Sequence, residues 1–185
     1  MAVAITLLVL NIAVPGTGQA LGHELGHNWP AYVAYVISFL TIGIIWINHH
    51  ISIGRLARTD HSILMLNLML LLTVVVIPFG TSLLADYLTA GQGDHLAAGV
   101  YAGILLAMAV AFSVLNGHIL FRRPHMLRFQ LSLEERRLIF LRSASGVIPY
   151  ALATALAVVS PYATLGVTAA LAAFYALPFA GGLIG

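Results

Sequence analysis

The chain has 185 residues, of which 61% are hydrophobic and only 8% charged, and its mean hydropathy is +0.99. Soluble domains carry about 25% charged residues, so this composition excludes an ordinary soluble protein and makes the bilayer the solvent. The formal charge of +2 and the pI near 9.2 rest on eight arginines confined to two links, a topogenic pattern and not a nucleic-acid surface, and the lack of cysteine removes disulfides, thiolate metal sites and thiol nucleophiles.

Six apolar runs follow in chain order, and together they predict an all-α membrane protein, one six-helix unit over residues 1–185. The runs cover about 1–14, 30–57, 61–88, 95–121, 145–160 and 163–179. A crossing helix needs about 20 apolar residues. The first run is short, reaching about 21 Å of a ~30 Å core, and it opens on Met1 without a cap, so further residues are expected upstream. Pro15-Gly16-Thr17-Gly18 closes it, Gly91 to Gly93 marks a turn, and Pro161 separates the last two runs. Arg55 and Arg58 follow the second run. Arg122, Arg123, Arg128, Arg136, Arg137 and Arg142 follow the fourth. With alternating loops both clusters fall on one side, which the positive-inside rule makes cytoplasmic, and an even number of crossings puts both termini there too. The outside connections are then about 15–29, 89–94 and 160–163. In the polar link after the fourth run, Ser132 and Glu135 have the spacing of a capping box, which predicts a short helix at the membrane surface.

Polar side chains inside apolar runs must face protein or water. Trp46-Ile47-Asn48-His49-His50 lies toward the arginine end of the second run, and Asn67 comes to a similar depth on the third. Trp46, Asn48, His49, His50 and Asn67 are therefore expected to form a buried polar packing cluster, because unpaired amides and imidazoles in hydrocarbon cost several kcal/mol each. His23-Glu24-Leu25-Gly26-His27 satisfies H-E-x-x-H, the spacing that sets two zinc ligands one helical turn apart. Here it reads as a chance match. Pro30 and Val33 stand where the extended motif needs glycine and histidine, Gly22 and Gly26 weaken a helix, and no third ligand is evident. Neither G-x-S-x-G nor a phosphate-binding glycine loop is present. The expectation is no enzyme, no metal site and no resident cofactor.

Several segments carry a resemblance: Ala2-Val3-Ala4-Ile5-Thr6-Leu7-Leu8-Val9-Leu10, then Ser38-Phe39, Ile44-Ile45-Trp46-Ile47-Asn48-His49-His50, Asn67-Leu68 and Pro78-Phe79-Gly80-Thr81. Together they resemble the prokaryotic members of the transmembrane protein 175 family of potassium channels. The resemblance implies a six-helix subunit of a homotetramer in the bacterial inner membrane, conducting K⁺ in preference to Na⁺ through a central pore lined by the first helix. Its R-x-x-x-F-S-D hallmark would align just upstream of Met1. The family's constriction positions fall on Val3, Thr6 and Leu10, with Leu7 adjoining, and these share one helical stripe. Without T-V-G-Y-G there is no carbonyl filter of the usual potassium-channel kind, so an apolar constriction that gates by dewetting and selects weakly is expected. The alternative is a non-conducting membrane scaffold or a small transporter subunit. A transporter is expected to carry broken helices with charged midplane sites, and no Asp, Glu or Arg lies at mid-helix depth here.

Overall fold

The computed structural model describes residues 2–10 and 21–176, with the side chains of residues 2, 3, 10, 21, 24 and 89 outside that description. The elements are α1 Ala2–Leu10, α2 Leu21–His27, α3 Trp29–Gly54, α4 His61–Ala90, α5 Asp94–Gly117, α6 Leu133–Ala144, α7 Val147–Leu156 and α8 Pro161–Ala176. Each boundary has a local cause. Pro30 sits in the first turn of α3, where a missing N–H removes no helical bond. Asp60 caps α4 by accepting the Ile63 N–H at 2.8 Å. Gly91 and Gly93 adopt φ of 69° and 79°, left-handed geometry that suits glycine, and so turn the chain from α4 into α5. Beyond Gly117 the helix widens into a π turn ending at Arg122.

Four described stretches are long and apolar enough to cross a membrane: Trp29–Gly54, His61–Leu88, Asp94–Arg122 and Leu133–Leu156. The last differs from the expected polar link followed by a crossing at 145–160. Only Ser145 and Gly146 separate α6 from α7, and Glu134, Glu135, Arg136 and Arg137 crowd the start of α6, which leaves the remainder mostly apolar. The start of α6 carries the predicted capping box: the Ser132 N–H donates to Glu135 Oε2 at 2.7 Å, and the Glu135 N–H to Ser132 Oγ at 3.3 Å. A second difference is α2, which is helical where a loop is expected. Its two glycines cost only about 1 kcal/mol each relative to alanine, and α3 follows almost at once.

The bundle centres on α5, which packs against α4, α6, α7 and α8, while α3 packs on α4 and α8. In lipid the helices gain little from apolar burial alone, so close approach and polar contacts must hold them. Gly80 supplies the approach: a Cβ there would lie 2.7 Å from Ile104 Cδ1 and 3.5 Å from the Tyr101 Cα. Hydroxyls supply the contacts. Thr81 donates to the Ile77 carbonyl at 2.9 Å, so its oxygen accepts from Ser38 at 2.8 Å, and Ser38 in turn accepts from Tyr101 at 3.0 Å. This chain joins α3, α4 and α5, and the residues one turn away on each helix, Ile42, Ile77 and Leu105, are fully buried. One face of α4 presents Leu64, Leu68, Leu72 and Phe79, each more than half exposed.

The two arginine-bearing links meet at one end of the bundle. Leu56 and Leu127 form an isolated antiparallel bridge, with Ala57 N–H to Met126 O and Arg128 N–H to Arg55 O both at 2.8 Å. Arg128 Nε donates to the Leu56 carbonyl at 3.0 Å, and Arg123 Nε to Asp60 Oδ2 at 2.6 Å. Links 55–60 and 123–128 are thus one seam.

Candidate functional site

α1 has no charged residue, and its two sides differ. It packs on α4 and α3 through Ala4 and Leu8, which are 0% and 1% exposed, with Ile5 partly buried against the same core. Thr6 and Leu7 are exposed on the other side of the helix. Val3, Thr6, Leu7 and Leu10 follow i, i+3, i+4 and i+7 spacing, so their backbone positions share the face turned away from Ala4 and Leu8. The side chains of Val3 and Leu10 are outside the described set.

Of the five residues expected to cluster toward the arginine end, the structure brings two together across helices. His49 Nε2 donates to Asn67 Oδ1 at 2.6 Å in a half-buried site between α3 and α4. Asn48 is exposed and donates to the Ile44 carbonyl of its own helix at 3.0 Å. Trp46, 51% exposed, stacks on His50 with ring centroids 5.7 Å apart. Helical geometry explains the division: at about 100° per residue, positions 46, 48, 49 and 50 cannot all face α4. His23 and His27 are exposed on α2, and among the described residues no group of three or more His, Cys, Asp or Glu is placed to hold a metal ion.

Other interior polar contacts are not among the expected clusters. Ser52 Oγ donates to Asn116 Oδ1 at 2.5 Å, and Asn116 Nδ2 bonds the Phe112 carbonyl at 3.0 Å, joining α3 to α5. On α3, Ser38 and Ser52 are 14 positions apart, about four turns, so one face meets α4 and α5 at two levels. That spacing was the available signal for both contacts. At the opposite end of α5, His95 Nδ1 donates to the Ala157 carbonyl at 2.7 Å.

Electrostatics are concentrated at the seam. The Ile63 backbone N–H, followed by the Arg123 side chain, holds the Asp60 carboxyl below the usual carboxylate range. Next to the seam lies a cavity of about 700 Å³ bounded by α3, α5, α6, α7 and α8, with Arg55 and Arg142 among its lining residues.

Residues 1–78 match the family described as endosomal/lysosomal potassium channel TMEM175. A potassium channel of Streptomyces collinus is 43% identical over 177 residues, covering 94% of this chain and 85% of that protein. One of Chamaesiphon minutus is 39% identical over 180 residues, covering 95% and 88% respectively. Among solved structures, a lysosomal potassium-selective channel TMEM175 homolog from Chamaesiphon minutus matches with a TM-score of 0.83 at 38% identity, over 95% of this chain and 89% of that one. Likeness of sequence and fold along nearly the whole of each chain makes this protein a member of the TMEM175 family, which is a family of ion channels and not of enzymes.

Proposed function

We propose that the chain is a subunit of a weakly selective potassium channel in a bacterial cell membrane, assembled as a homotetramer with α1 around the conduction axis. The observation that carries this reading is the two-sidedness of α1. Ala4 and Leu8 anchor it to its own subunit, while Thr6 and Leu7 are exposed on another side, on the stripe whose backbone positions also include Val3 and Leu10. Four such stripes around an axis make successive rings, apolar except for the Thr6 hydroxyls. An apolar ring narrower than a hydrated ion must widen or dewet before K⁺ passes, which makes it a gate. The relatives named as potassium channels support K⁺ as the permeating ion, and conduction of this kind uses no resident cofactor.

The topology that goes with this reading has six crossings, supplied by α1, α3, α4, α5, the α6–α7 pair and α8, with both termini cytoplasmic. It is supported by the four long apolar stretches, the shorter apolar helix Pro161–Ala176, and the meeting of both arginine links at one end. The test is paired K⁺ and Na⁺ flux from liposomes. Val3→Asn, Thr6→Asn or Leu10→Asn is expected to ease hydration of the rings, raising conductance and eroding the preference for K⁺. Ala170→Ser on α8 is expected to do neither. Ring variants that assemble yet keep both conductance and ion ratio would place the pore on another element.

A further inference from the structure

The cavity beside the seam combines two features that rarely share one space, an apolar shaft and cations with no ion-pair partner among the described residues. Its shaft includes Ile44, Ile47, Ile51 and Phe112, and Arg55 and Arg142 stand among its polar lining. Both Thr41 and Arg55 border it, so it follows α3 for about 21 Å, more than the ~15 Å of one leaflet's hydrocarbon. The ion pair found among the described residues, Arg123 with Asp60, involves neither arginine. Burial lowers the Arg55 pKa, as desolvation does to a cation lacking a counter-charge.

We propose that this cavity is a binding site for an anionic phospholipid of the cytoplasmic leaflet, its acyl chain lying along α3 and its phosphate held by Arg55 and Arg142. Charge complementarity selects this occupant. A basic pocket between crossing helices on the cytoplasmic side meets a leaflet whose surface is negative, and guanidinium groups suit phosphate oxygens. The walls come from α3, α5, α6, α7 and α8, so a bound lipid bridges helices far apart in the chain. The proposal rests on the topology given above, but detergent micelles have no sidedness, so lipid retained there tests the site even if the orientation fails.

The test is native mass spectrometry of the purified full chain in detergent, titrated with phosphatidylglycerol or phosphatidylcholine. The wild type is expected to retain phosphatidylglycerol preferentially. Arg55→Ala with Arg142→Ala is expected to reduce that retention roughly thirtyfold, since each arginine near an anionic lipid contributes about a fivefold effect. Arg55→Lys with Arg142→Lys keeps the charges and is expected to retain most of the binding, which separates charge loss from misfolding. Arg122→Ala with Arg137→Ala removes two cations that do not line the cavity and is expected to change retention less than about twofold. A photoreactive residue at Ile47 is expected to crosslink to lipid. Equal losses in the two alanine pairs, no preference for phosphatidylglycerol in the wild type, or crosslinks from position 47 that land on residues 177–185 or on a second copy would each overturn the site.

Discussion

The hydroxyl chain through Ser38, Thr81 and Tyr101 and the pair His49–Asn67 both bind α3 to α4, about 16 Å apart along α3, but they meet their surroundings differently. Ser38 and Tyr101 are fully buried, Thr81 nearly so, and each hydroxyl proton has an acceptor inside the subunit. His49 and Asn67 are half-buried and make one cross-helix bond. A polar group sealed among its own helices can only hold them together. One left half-open toward the arginine end keeps room for another element to enter, and so can respond to it.

The sharpest way to break this contrast is at Tyr101. Tyr101→Ala is expected to destabilise the subunit by about 3–5 kcal/mol through the void it leaves. Tyr101→Phe should cost about 1–3 kcal/mol by removing the donor to Ser38. Thermal unfolding in detergent reads both, and a Tyr101→Ala variant that melts like the wild type would show that the buried chain carries no load. Next in size is α1, where Leu8→Ala should cost about 2–5 kcal/mol and Leu7→Ala about 0.5 kcal/mol or less. The reverse order would mean that the helix is seated the other way round.

At the half-open pair, His49→Ala or Asn67→Ala should cost about 1–3 kcal/mol, and the double variant little more than either alone. Asn48→Ala and His50→Ala should stay near 0.5 kcal/mol. Full additivity of His49 and Asn67 would dissolve the pair. The smallest effect is acid sensitivity at Asp60, whose folded carboxyl is held below its unfolded range. Its stabilising contribution is therefore complete above the ordinary carboxylate pKa and lost as pH falls through the lower, folded value. Asp60→Asn should flatten that part of the acid-unfolding profile, and an unchanged profile would remove Asp60 from the account.

The long spans were legible because length and hydropathy suffice for α3, α4 and α5, whose apolar runs are bounded by Pro30, Asp60 and the Gly91–Gly93 turn. The α6–α7 pair was not, because Glu134 to Arg137 outweigh the apolar residues of α6 in a linear reading although they occupy only its start. Side-chain pairing was harder still. Runs of adjacent polar residues invite grouping along the chain, whereas a helix distributes Trp46, Asn48, His49 and His50 around its axis. Ser52 with Asn116, and Ser38 with Thr81 and Tyr101, stood scattered through separate apolar runs, where the 14-residue spacing of Ser38 and Ser52 along α3 was the signal and their partners on α4 and α5 emerge only when the helices meet.

The seam between residues 55–60 and 123–128 also bears on how the chain enters the membrane. The two links are separated by α4 and α5, both long and apolar enough to cross a membrane, so they can zip together only if α4 goes one way and α5 returns. A chain inserted with α5 stranded would leave the Leu56–Leu127 bridge, the Arg123–Asp60 pair and the Arg128 bond to Leu56 unmade. The arginines that the positive-inside rule counts are thus also those that fasten the two links to each other, Arg123 to Asp60 and Arg128 to the Leu56 carbonyl.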